Sequence, residues 1–153
     1  MRKLLYLVLF LLFSCKAPEY KYRFNEEWSV LEVKMKDKSF REHFYRPDQN
    51  QNYCMPSIRF STKDSTAVWP GFKEEINRFK FSVNNSITRI SFSRIDSVKY
   101  EENDLYINLI CQEFKIDKDS KLGRLTLSNK EGVKIRILPT ERFIEQSKAR
   151  NLD

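Results

Sequence analysis

The sequence predicts an all-β protein, an antiparallel meander that closes as a small barrel or stays an open sandwich. Three observations carry this expectation. Short alternations of apolar and polar residues recur from Trp28 to Leu138, polar turn clusters separate them at close intervals, and no helical period is long enough for crossovers between parallel strands. Aromatic residues make up 14% of the 153 residues beside 32% charged ones, more large rings than a disordered chain would leave in water, so a packed core is expected. The length fits one domain.

The elements follow in order. Arg2 and Lys3 precede an apolar run from Leu4 to Phe13, the anatomy of a signal peptide. Ten residues reach about 15 Å as a helix, roughly half of a bilayer core, so a cleaved leader (residues 1–14) is expected rather than a spanning helix. Residues 15–27 are polar and carry Pro18, the composition of a tether. The β domain is expected over 28–142. Its first strand runs from Trp28 to Lys36, with Leu31, Val33 and Met35 on one face and Glu32, Lys34 and Lys36 on the other. Asp37 to Tyr53 reads as a long connection or a short helix plus loop. Ile58 and Phe60 alternate with Arg59 and Ser61; Lys63-Asp64-Ser65 turns the chain into Thr66 to Trp69. Phe79, Phe81 and Val83 alternate with Arg78, Lys80 and Ser82, and Asn84-Asn85 turns into a strand over Ile87 to Arg94. Leu105, Ile107, Leu109 and Cys111 are expected to share one strand face, with a phase change at Glu113 that marks a bulge or a break. Leu125 and Leu127, then Asn129 to Gly132, then Val133, Ile135 and Ile137 make the clearest hairpin, with Gly132 at a position needing positive φ. Residues 143–153 read as a polar, frayed helix or tail.

Two stretches resemble known families. Leu12-Phe13-Ser14-Cys15 resembles the bacterial lipobox, and the Ser-Cys junction with a Lys- and Asn-rich chain after it is similar to short lipoproteins of Bacteroidota. The resemblance implies that Cys15 is lipidated, that the leader is cut before it, and that no aspartate follows to retain the protein in the inner membrane. Anchoring to the outer membrane, on its periplasmic face, is the expected location. Trp28-x-Val30, the strand and turn from Ile58 to Thr66, and the closing hairpin from Arg124 to Leu138 resemble the lipocalin-like domains of small bacterial lipoproteins. That resemblance implies a barrel with a binding mouth.

Several chemistries lack their residues. Gly71, Gly123 and Gly132 are the only glycines and lie too far apart for a phosphate-binding loop, and His43 is the single histidine, so a histidine relay or two-histidine metal site is excluded. Glu74-Glu75 and Glu101-Glu102 are adjacent pairs, which on a strand point to opposite faces and do not converge. No catalytic residue, metal or cofactor is expected. Cys54 and Cys111 either form a disulfide or stand independently; export permits both. His43, Phe44, Tyr45, Trp69 and Phe72 are candidates to line a barrel mouth, against the commoner use of such rings as core. Removing the leader's two cations leaves 26 basic and 21 acidic residues, a charge of +5. Arg78, Lys80, Arg89 and Arg94, with Lys99, are candidates for a basic strand face. The expected function is non-enzymatic binding of a small apolar or amphipathic ligand, or of an envelope protein; an inhibitor or immunity-type role through the basic face is the alternative. Nucleic acid is not an expected partner of an exported chain.

Overall fold

Alternating side chains in short strands leave two faces to dispose of, and closing the sheet buries one of them while abolishing its edges. The computed structural model describes residues 21–36, 38–39, 56–100, 102 and 104–150. Among them are β1 (Glu27–Met35), β2 (Lys38–Ser39), β3 (Ser57–Ser61), β4 (Thr66–Val68), β5 (Arg78–Val83), β6 (Arg89–Ser93), β7 (Glu113–Asp119), β8 (Arg124–Ser128) and β9 (Val133–Pro139). Every pairing among them is antiparallel; β3 to β9 pair in chain order, and β1 pairs with β3 and also with β9, from Trp28↔Pro139 to Met35↔Val133. The sheet is therefore a closed eight-stranded barrel of β1 and β3 to β9, with β2 laid beside the far end of β1. This is the up-and-down architecture of a lipocalin-like barrel, and the open sandwich is ruled out.

Inward positions follow the period of two. Ile58 and Phe60, Ala67, Phe79 and Phe81, Ile90 and Phe92, Phe114 and Ile116, Leu125 and Leu127, and Val133, Ile135 and Ile137 are all buried. On β1 the phase shifts. Val30 pairs with Ile137 and Glu32 with Arg136, so Leu31 is the extra residue of a bulge. Trp28 and Val30 point inward before it, Val33 and Met35 after it, and the expected unbroken face of Leu31, Val33 and Met35 is corrected accordingly.

The turns behave as their residues require. Asn129 Oδ1 accepts from the amides of Glu131 (3.1 Å) and Val133 (2.9 Å), while Gly132 takes φ +84°. Asn84 Oδ1 accepts from the amides of Thr88 (2.8 Å) and Arg89 (2.9 Å) to tie the β5–β6 connection.

Leu105 to Cys111 does not form the expected strand: Leu105–Ile110 is a helix, α1. Asp104 caps it, accepting from the amides of Tyr106 (2.8 Å) and Ile107 (3.1 Å), and Ile107 and Ile110, three apart, share the buried face. The expected phase change is real, since β7 begins at Glu113. A second helix, α2 (Thr140–Arg150), packs on the outside of β1 and β9. It covers Ser29 and Leu138, a paired couple that points outward yet is only 1% and 3% exposed, and Thr140 shares a 3.0 Å hydroxyl hydrogen bond with Ser29. The C-terminal segment is thus a docked helix that begins before residue 143, not a tail.

Candidate functional site

The inward residues decide first what the barrel can hold. Phe60 meets Phe81 edge-on at 5.0 Å between ring centroids, Trp69 meets Phe92 at 5.1 Å, and Phe92 meets Phe114 at 6.1 Å. Among the described residues these rings pack against one another across the lumen. At one end Phe24 stacks on Trp28 at 5.8 Å and touches Phe60 at 5.2 Å, with Tyr22 stacked on Trp28 at 6.4 Å. The indole Nε1–H of Trp28 donates to the carbonyl of Arg23 at 3.1 Å, pinning this plug to the strand. The folded unit consequently starts earlier than Trp28, inside the span expected to be tether. At the other end α1 stops the barrel, and the void it encloses with Val33, Met35, Val133 and Ile135 is about 10 Å³. A void of that size scarcely admits one water molecule.

Two of the candidate mouth residues are described. Trp69 is core at 1% exposure, and Phe72 is half-buried with its ring edge-on to Phe79 at 5.6 Å. His43, Phe44 and Tyr45 lie outside the described residues, as do Cys15 and Cys54. Cys111 is half-buried at the end of α1, where burial pushes its thiol pKa up against the opposing pull of Arg94. Such a thiol is a poor nucleophile near neutrality. Among the described residues no cluster of His, Cys, Asp and Glu is placed to hold a metal ion, and no helix is long and apolar enough to cross a membrane.

The outer face separates the basic residues into three environments. Arg94 is turned toward α1: its guanidinium donates to Asn108 Oδ1 (2.9 Å) and the Glu102 carbonyl (3.4 Å) and lies 5.8 Å from the Tyr100 ring centroid. Arg94 staples a helix. Arg89 is exposed but forms a 2.6 Å ion pair with Glu113, and its cross-strand neighbour Lys115 lies 3.4 Å from Asp117. That part of the surface is compensated.

Arg78 and Lys80 are different. Register places Arg78 opposite Val68 and Val68 opposite Arg59, so two guanidinium-bearing residues flank one apolar side chain across three strands, about 10 Å apart. Lys80 lies one step along β5, opposite Thr66 and Ser93, with Ser61 beyond Thr66. Among the described residues none of Arg59, Arg78 and Lys80 makes an ion pair. The one carboxylate directly across the sheet, Glu27 opposite Arg59, accepts the Ser57 hydroxyl. The result is three exposed cations edged by hydroxyls, a surface able to receive several carboxylates or another anionic group.

Arg59 belongs to this cluster although its neighbours in sequence gave it no prominence. Its signal was the outward phase between Ile58 and Phe60, but only the β3–β4–β5 register brings it to Arg78. Comparison with protein-family profiles, with curated proteins and with solved structures finds no match for this chain.

Proposed function

We propose that this chain is a lipid-anchored, non-enzymatic protein of the bacterial cell envelope that acts by binding an acidic protein partner on the outer face of β3, β4 and β5. The observation that carries the reading is the contrast between a lumen filled by Trp28, Phe60, Phe81, Phe92 and Phe114 and an outer cluster of Arg59, Arg78 and Lys80 without ion-pair partners among the described residues. A filled lumen favours a surface partner over a small apolar ligand carried inside. Lipidation at Cys15 supplies the anchor, on the strength of Leu12-Phe13-Ser14-Cys15. Lys16 in the next position favours the outer membrane and its periplasmic face.

The test is crosslinking in cells. Combining Arg59→Glu, Arg78→Glu and Lys80→Glu should abolish the crosslinked species while leaving membrane fractionation unchanged, and Cys15→Ser should release the protein to the soluble fraction. Undiminished crosslinks in the triple variant would sink the binding face. A lipid-sized ligand retained by the folded protein in native mass spectrometry would move the reading back to the lumen.

A further inference from the structure

The aromatic plug marks the end of the barrel at which the chain enters, and that end has a charge of its own. Its surface is made by residues 21–26 and by the connections 61–66, 83–88 and 118–124, which all lie at the rim where β1 begins. These segments contain six basic residues (Lys21, Arg23, Lys63, Lys118, Lys121 and Arg124) and three acidic ones (Glu26, Asp64 and Asp119). Two of the acids are occupied locally. Asp119 pairs with Arg124 at 3.0 Å, and Asp64 is held by the hydroxyls of Thr66 and Ser61, so the free charge of the rim is positive. Lys118 lies over the Tyr22 ring at 5.8 Å and donates to the Ser86 carbonyl at 3.0 Å, which fixes one cation to the plug itself. Leu122, 43% exposed, stands at the apex of the β7–β8 turn between Lys121 and Gly123. The opposite rim carries no such excess: among the described residues of 36–39, 69–77, 94–104 and 129–132, six are basic and six acidic.

We infer that the plug end of the barrel is a docking face for an anionic phospholipid bilayer, with Lys21, Lys63 and Lys121 against the headgroups and Leu122 at the interface. The inference rests on the anchor reading for its geometry. Lys21 is six steps along the chain from Cys15, a reach of about 20 Å when fully extended, so an acylated Cys15 keeps this rim close to the lipid surface at all times. Within the last Debye length, about 8 Å in physiological salt, the basic rim is drawn to anionic headgroups while the charge-balanced rim is not. The barrel then stands with α1 and the β3–β5 face directed away from or along the membrane, where a partner reaches them.

The test uses the mature lipidated protein in vesicles of phosphatidylcholine, with or without 30% phosphatidylglycerol, and reads the rate of amine labelling at each lysine by mass spectrometry. Labelling of Lys63 and Lys121 should slow about fivefold or more in the anionic vesicles relative to Lys99 and Lys130 at the other rim, and the protection should vanish in 0.5 M salt. Combining Lys63→Glu with Lys121→Glu should abolish the protection of Lys21 without changing the unfolding midpoint. Equal labelling of both rims on vesicle-bound protein would overturn the docking face while leaving the anchor intact. The mass of Cys15 reports the anchor separately: a chain without acyl groups that still floats with anionic vesicles in a salt-sensitive way keeps the docking face and removes the anchor. One that neither carries acyl groups nor floats overturns both.

Discussion

Glu32 holds two cations at once. Its carboxylate lies 2.6 Å from Lys34 Nζ and 2.8 Å from Arg136 Nε, just past the β1 bulge, with its side chain 18% exposed. The hydrogen bond from Lys34, and then the charge of Arg136, hold its pKa below the ordinary carboxylate value in spite of partial desolvation. A carboxyl whose folded pKa is depressed contributes stability that is fully present above its unfolded pKa and is lost as pH falls through the folded value. Glu32→Gln should therefore lower stability by about 1 kcal/mol at pH 7, and the difference from the parent should shrink as the pH falls below 4. Urea unfolding at pH 7 and pH 3 checks this; a pH-independent difference would mean that packing, not charge, is what Glu32 supplies. The polar side of β1 was visible in the sequence as Glu32, Lys34 and Lys36, but the bulge was not, because an extra residue at Leu31 is apolar and continues the alternation with Val33. Arg94 was likewise visible only as a cation. Its hold on Asn108 spans fourteen residues, and nothing local to Arg94 announces it.

At the level of elements, α1 shows how a short helix hides in a strand pattern. Six residues make less than two turns, so Leu105, Ile107 and Leu109 alternate as well as Ile107 and Ile110 repeat by three. The deciding signal was Asp104, whose carboxylate satisfies two amides that would otherwise be orphaned. Asp104→Ala should cost about 1 kcal/mol and loosen α1 selectively, seen as faster hydrogen exchange at Ile107 to Cys111 before any change in the β8–β9 hairpin. Uniform loss of protection across both would show that α1 and the barrel unfold as one unit. The β8–β9 hairpin was legible throughout, because Leu125, Leu127, Val133, Ile135 and Ile137 alternate strictly and Asn129 and Gly132 supply turn chemistry that needs no tertiary partner. The basic face was legible by half: the phase of β5 exposes Arg78 and Lys80, whereas Arg59 joins them only through a register that two turns and β4 have to set.

On the scale of the molecule, the barrel is stoppered at both ends, by Phe24 with Tyr22 and by α1. Tyr22 and Phe24 alternate with Lys21, Arg23 and Asn25, a short strand-like signal that the polar surroundings of a tether outweigh. Phe24→Ala removes a ring that is 7% exposed and touches Trp28, Phe60 and Phe81, so a loss of about 3 kcal/mol is expected in denaturant unfolding. A loss under 1 kcal/mol would mean that residues 21–26 leave the barrel in solution. Closure between β1 and β9 has a further consequence, for the time at which the protein can fold. Ser29 and Thr140 meet across 111 residues, and β1 has no mate on that side until the last strand is present. Helices such as α1 form from neighbours in microseconds, but the ring completes only after nearly the whole chain has been made. A nascent or interrupted chain ending before Val133 exposes two bare sheet edges, one on β1 and one on β8, and is the species most prone to aggregate.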